Sequence, residues 1–241
     1  PVLDTSLTAD LPFFNDTLSN LMVSAEARGK PLLNGFNTND GSVVWIFPGS
    51  NNSWEQAEAN LAYFIPRSRR SVIGDSTRNR IRQDIQAKYF PNTYDENKVL
   101  DLLNLYTDTM FSYPAVKVSR YFANLTYGYR FNYYGSWSFL GGFPYPMKTV
   151  NHGSEIPYIF YATNFSRPDD TGSLNTDNIA MKDQLVGLWT SFAKTGVPNT
   201  WTKVSNNTYY IIDNVTSTVN VSTFESQYYD FWAGVERSSA F

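Results

Sequence analysis

The 241-residue chain predicts an α/β fold on three observations. A short apolar run, Pro31-Leu32-Leu33-Asn34-Gly35-Phe36-Asn37, has the length of a buried strand and ends in the turn cluster Thr38-Asn39-Asp40-Gly41-Ser42. Tyr127-Gly128-Tyr129-Arg130-Phe131-Asn132-Tyr133 alternates aromatic with small or polar residues, the period of two that marks a strand. Residues 177–195 place Met181, Leu185, Leu188, Trp189 and Phe192 on one helical face. Strand and helix patterns are interleaved, and neither an internal repeat nor a linker divides them. Residues 1–241 therefore read as one compact unit.

Each element has a local reason. The chain to about Lys30 is loop-like, with a short helix expected over 18–28. Beyond the first strand, a helix is expected over 53–64, where Ser53 and Gln56 make a capping-box pattern. Arg67-Ser68-Arg69-Arg70 reads as a solvated basic loop. Helices over 75–90 and 96–107 are separated by the breaker Pro91-Asn92. Pro114 stands where another helix begins, continued by 116–123 with Val118, Tyr121 and Phe122 on one side. An irregular Gly/Pro/aromatic loop over 135–148 delivers the chain to residue 152, and a polar connector with Arg167-Pro168-Asp169-Asp170 follows Phe160. Helix 177–195 stops at Gly196 with Pro198 beyond. Strands at 208–212 and 215–221 and a helix over 224–235 close the chain.

Composition narrows the function classes. Hydrophobic residues make up 42% and charged residues 17%, so the chain is neither disordered nor membrane-spanning. No apolar run approaches the length of a bilayer span. A net charge of -3 gives no electrostatic reason to expect nucleic acid. The absence of cysteine excludes disulfides, thiolate metal sites and a cysteine nucleophile within the chain, and no cofactor or metal motif is present. Asn-x-Ser/Thr sequons start at Asn15, Asn51, Asn124, Asn164, Asn206, Asn214 and Asn220. A chain this rich in Asn, Ser and Thr carries roughly three by chance, so the excess points to a secreted glycoprotein. Pro1-Val2-Leu3-Asp4 is no export signal, which leads us to expect a processed piece of something longer.

The one histidine, His152, stands in Thr149-Val150-Asn151-His152-Gly153-Ser154-Glu155. Imidazole alone titrates near neutrality unperturbed, so acid–base chemistry that needs it runs through this residue. A lone histidine is more often a spectator than a catalyst, and its neighbours decide the matter. Asp40 lies on a turn just beyond a buried strand, where open α/β sheets place ligand and catalytic groups. The local sequence fits an ordinary Asx-turn equally well.

In this order the segments resemble the C-terminal half of the type-B carboxylesterase/cholinesterase family of α/β-hydrolases. Pro1-Val2-Leu3-Asp4 is similar to the family's Pro-Val-x-Asp segment, and Gly35-Phe36-Asn37-Thr38-Asn39-Asp40-Gly41-Ser42 to its acid turn, Gly-x-x-x-x-Glu-Gly. Asp108, Phe111 and Pro114 match Asp-x-x-Phe-x-x-Pro, and His152-Gly153-Ser154-Glu155 matches His-Gly-x-Glu. Trp189-Thr190-Ser191-Phe192-Ala193-Lys194-Thr195-Gly196-Val197-Pro198-Asn199 matches Trp-x-x-Phe-Ala-x-x-Gly-x-Pro-Asn, and Phe231-Trp232 fits the family's end. The resemblance implies a central, mostly parallel sheet flanked by helices. It makes Asp40 the triad acid, His152 the general base and Glu155 a buried supporting carboxylate. The family usually has Glu at position 40, so the shorter Asp requires its turn to lie closer to the imidazole.

The nucleophile elbow Gly-x-Ser-x-Gly occurs nowhere in the sequence. Gly135-Ser136-Trp137-Ser138-Phe139 departs from it, with Trp at the nucleophile position and no second Gly. With the fold's chain order of Ser, acid, His, the resemblance implies an N-terminal chain of the same precursor that carries the serine and the oxyanion hole and completes the sheet. Val43 and Val44, with Trp45 and Phe47 nearby, stand where cholinesterases carry aromatic residues. An ordinary apolar ester pocket is expected there, with Phe143 on the Gly141-Gly142-Phe143-Pro144-Tyr145-Pro146 loop as one wall. The rival expectation is an inactive relative that carries an apolar ligand.

Overall fold

A computed structural model of the chain describes residues 18–22, 24, 29–45, 57, 59–65, 70, 72–91, 98–137, 149–161, 173–214 and 216–238. Among them one mixed sheet runs in the order β1 (Leu32–Asn37), β2 (Thr126–Phe131), β3 (Tyr209–Ile212) and β4 (Ser217–Val219). β1–β2 and β2–β3 are parallel, with Gly35 opposite Tyr129 and Arg130 opposite Ile211; β4 returns antiparallel. Parallel neighbours need long crossovers, and helices supply them. Helices α2 (Asp75–Tyr89), α3 (Lys98–Thr107) and α4 (Tyr113–Tyr121) lie between β1 and β2, after a short α1 (Leu18–Met22) that precedes β1. Helices α5 (Ile156–Ile159) and α6 (Ser173–Thr195) lie between β2 and β3, and α7 (Val221–Tyr228) and α8 (Asp230–Ser238) follow β4.

Alternation along the strands sorts the core. Tyr127 and Phe131 of β2 and Tyr210 and Ile212 of β3 point to one face, where α6 covers them with Met181, Leu185 and Leu188. Phe36 of β1 and Tyr209 of β3 point to the other, against Val116 of α4 and Phe224 and Tyr228 of α7. A further cluster joins Ile81 and Ile85 of α2, Leu102 and Leu105 of α3, and Trp232 and Val235 of α8. Fully burying a side chain of this size contributes about 1.5–3 kcal/mol.

Several sequence expectations change in detail. Helix α6 begins at Ser173 rather than 177. On α4 the buried residues are Val116 and Ser119, while Tyr121 is 57% exposed, so the expected Val118/Tyr121/Phe122 face is incorrect. Its Ser119 Oγ accepts from Asn34 Nδ2 at 2.9 Å, a polar contact that an apolar pattern does not reveal. The expected strand 215–221 shrinks to β4, because Asn220 caps the next helix by accepting from Thr223 N at 2.9 Å. The single closing helix is two, interrupted at Tyr229. The N-terminal half of the expected helix 53–64 lies outside the described residues, as do Arg67-Ser68-Arg69, residues 138–148 and Arg167-Pro168-Asp169-Asp170.

Candidate active site

The site is built where two strand ends are zipped one step past the sheet. Beyond β1, Thr38 N donates to Phe131 O at 3.0 Å and Asn39 N to Val150 O at 3.0 Å. Asn39 and Asn151 then pair as an isolated parallel bridge. That register brings the next residue on each side, Asp40 and His152, next to one another. The His152 Nδ1–H donates to Asp40 Oδ1 at 2.9 Å. This is an ordinary hydrogen-bond length, so the shorter acid reaches the imidazole without a longer contact.

Both turns are held by backbone bonds. Asp40 opens a 3-10 turn, Asp40–Trp45, and its Oδ2 accepts from Asn37 N at 2.6 Å. Gly41 lies hard against α3 and donates its N–H to Thr107 Oγ1 at 2.9 Å. A Cβ there would meet Leu103 O at 2.4 Å and Thr107 N at 2.5 Å, so the turn's position requires glycine. Ser42 Oγ accepts from His152 N at 2.9 Å, which ties the acid turn to the histidine backbone. The chain then reverses through buried Gly153 at φ 75°, a left-handed conformation that glycine adopts freely.

Charge and exposure are unequal across the pair. The Asp40 side chain is 6% exposed and that of His152 39%. Burial pushes the Asp40 carboxyl above its usual range, and the bonds from His152 and the Asn37 N–H offset only part of that. The hydrogen bond to Asp40 raises His152 above an ordinary histidine, against the effect of its own partial burial. With Nδ1–H committed to the carboxylate, neutral His152 carries its lone pair on Nε2. Such an imidazole can take a proton at Nε2 while its cationic form is stabilised through Nδ1.

Around the pair stand groups that the sequence marks less clearly. Asn37 donates through Nδ2 to Glu155 Oε2 and to Asn151 O, the latter at 3.0 Å. One asparagine therefore links the acid turn, through its N–H to Asp40, with the segment after His152. Burial raises the Glu155 carboxyl, the Asn37 bond opposes this and the nearby Asp40 adds to it. Phe111 packs its ring against His152 with centroids 5.0 Å apart. It rides on a wide π turn, Asp108–Ser112, inserted between α3 and α4. Asp108, at the start of that turn, accepts from Tyr89 Oη at 2.6 Å and Ser112 Oγ at 2.7 Å, and Trp232 Nε1 donates to Tyr89 Oη at 2.8 Å. Asn37 and Ser42 were legible only as polar residues flanking a buried strand, a placement that demands partners without naming them.

Other expected positions fall elsewhere. Val43 and Val44 are half-buried on the 3-10 turn, while Phe47 and Phe143 lie outside the described residues. A cavity of about 380 Å³ is lined by Met22 and residues 120–125, and includes neither valine. Ser136 accepts from Nδ2 of the buried Asn178 on α6 at 2.6 Å. Asn124, Asn206, Asn214 and Asn220 are exposed; Asn15, Asn51 and Asn164 lie outside the described residues.

The model of the carboxylesterase family matches residues 1–232. This chain belongs to the carboxylesterase family. The esterases FE4 and E4 of Myzus persicae are each 24% identical to it over 194 residues, covering 73% of this chain and 34% of theirs. This carboxylesterase-family chain thus spans about a third of the length of the curated relatives it matches. Juvenile hormone esterase from Manduca sexta, solved with OTFP covalently attached, superposes with a TM-score of 0.74 at 21% identity. That match covers 98% of this chain and 47% of that one. Aspergillus niger EstA gives 0.60 at 21% identity, over 88% of this chain and 41% of its own. The sheet and its flanking helices are the C-terminal half of an α/β-hydrolase fold. Among the described residues no helix is long and apolar enough to cross a membrane.

Proposed function

We propose that this chain supplies the acid, Asp40, and the general base, His152, of a serine carboxylic ester hydrolase. The nucleophilic serine and oxyanion hole come from an N-terminal chain of the same precursor, and the assembled protein is secreted. The observation that carries this reading is the 2.9 Å bond from His152 Nδ1 to a buried carboxylate, with the imidazole itself partly open to solvent. The Asn-x-Ser/Thr excess supports secretion, and the lack of any Gly-x-Ser-x-Gly in the sequence supports a serine carried elsewhere. β1 is also the end strand of the described sheet, which leaves an edge for that chain to join.

In the reaction His152 Nε2 removes the serine hydroxyl proton as the serine oxygen attacks the ester carbonyl. The Asp40 carboxylate stays ionised, holds the ring by Nδ1 and stabilises the imidazolium. Nε2 returns the proton to the departing alkoxide, and water repeats the cycle to release the acid. The substrate is an apolar ester, received beside Val43 and Val44.

The test uses the full assembled protein with a simple aryl ester. The wild type turns over, His152→Ala loses all but a residual rate, and a fluorophosphonate labels one serine outside these 241 residues. Intact mass before and after denaturation reveals two chains. A protein that hydrolyses the ester equally well without His152, or is labelled nowhere, overturns the reading.

A further inference from the structure

We propose that the β3–β4 edge of the sheet is a glycan-shielded edge, with N-linked oligosaccharides on Asn206, Asn214 and Asn220. This rests on the reading of the protein as secreted, and not on its esterase activity.

The three sequons are not scattered. Asn214-Val215-Thr216 stands immediately before β4 and Asn220-Val221-Ser222 immediately after it, so the three-residue strand is bracketed by acceptors. Asn206-Asn207-Thr208 stands just before β3, the strand paired with β4. All three asparagines are exposed. At Asn220 the side-chain oxygen accepts from Ser222 Oγ and Thr223 N, each at 2.9 Å. Both bonds use Oδ1, so the helix cap survives attachment at Nδ2.

The edge needs a guard. Residues 214–224, Asn-Val-Thr-Ser-Thr-Val-Asn-Val-Ser-Thr-Phe, contain no charge, no proline and no glycine. Several are β-branched, and the run has the composition of an aggregation-prone strand. β4 is the last strand of the described sheet, with Ser217 and Thr218 exposed. Natural edges are commonly blunted by charge, above all lysine. Here the one charged residue in 204–224 is Asp213, and its carboxylate is turned to Asn132 Nδ2 at 2.7 Å and Asn214 N at 2.9 Å. β1, at the opposite edge, has no sequon anywhere between residues 16 and 50, as befits an edge that another chain must reach.

Attachment uses a polyprenyl-pyrophosphate oligosaccharide as donor. The asparagine Nδ2 forms a bond to the anomeric carbon, the carbon–oxygen bond to pyrophosphate breaks, and the amide proton is released. A branched, hydrated sugar at each end of β4 leaves no room for another strand to pair.

The full-length protein, secreted from eukaryotic cells, is treated with peptide N-glycosidase in heavy-oxygen water and digested, so that each occupied asparagine is read as labelled aspartate by mass spectrometry. Label at Asn206, Asn214 and Asn220 is expected. Label confined to other sequons overturns the edge proposal and leaves the secretion reading intact; no label at any sequon overturns both. The shielding role is read separately with Asn214→Gln plus Ser222→Ala, which removes both acceptors beside β4 and keeps the Thr223 N–H bond to the Asn220 cap. This variant shifts from its native assembly to larger species in sedimentation, and adding Thr218→Lys reverses the shift. A double variant that keeps its native assembly, or one that the lysine does not rescue, overturns the shielding role.

Discussion

Asp40 and Asp108 are buried carboxylates in the same fold, both pushed upward by desolvation, and they face different partners. Asp108 accepts from two hydroxyls, Tyr89 Oη and Ser112 Oγ, with Trp232 Nε1 donating to the tyrosine from behind. Burial and the adjacent carboxylate raise the Tyr89 phenol far above its usual value, so the phenol keeps its proton near neutrality. Asp40 instead faces an imidazole whose hold on a proton it strengthens and which reaches solvent. The contrast teaches that burial alone makes an acid a clamp, and that the proton relay proposed for Asp40 rests on its titratable, accessible partner.

The largest effect should come from Asp40→Asn in the assembled protein. Asparagine keeps the shape but no longer enforces the tautomer, and by analogy with another serine triad turnover should fall about 10⁴-fold. A fall of only a few-fold in aryl ester turnover would place Asp40 with Asp108 as a structural clamp. Next comes the pH profile. Since Asp40 raises His152, kcat/KM should climb with pH around a midpoint above the ordinary histidine value of about 6.5. Residual activity in Asp40→Asn should show that midpoint lowered, while Asp108→Asn leaves it in place.

Asp108→Asn acts on stability. It offers one acceptor oxygen where two hydroxyls donate, so one buried donor is left unsatisfied at a cost of about 1–3 kcal/mol, measured as a lower urea midpoint. The pH dependence has a definite sign. Asp40, Asp108 and Glu155 all hold protons more tightly in the native state than ordinary carboxyls do. Their contribution is therefore full below about pH 4 and is lost as pH rises through the raised native values. Urea midpoints should decline over that window, less steeply in Asp108→Asn. The smallest effect is Trp232→Phe, which removes the indole N–H to Tyr89 Oη and should cost about 1 kcal/mol with no change in the pH midpoint.

How much was legible depended on the kind of pattern. The faces of β2 and α6 could be read from Tyr127, Phe131, Met181, Leu185 and Leu188, because periods of 2 and 3.6 are written in the residues themselves. The face of α4 could not, since its buried Ser119 is fixed by Asn34 on a distant strand. The family motifs named Asp108, but its place on a π turn that presents Phe111 to His152 is not in any local propensity. Likewise the bonds of Asn37 and Ser42 join segments more than 100 residues apart.

By itself the sequence determined the class of fold, the one imidazole, the carboxylate-bearing turn and the crowded sequons, because composition and spacing are properties of the chain alone. Only the tertiary structure decided that Asn39 pairs with Asn151, which sets Asp40 beside His152, and that β4 ends the described sheet between two sequon asparagines. Both are matters of register between distant strands. Register is chosen by the side chains that pack across the finished sheet, and no stretch of sequence contains that choice.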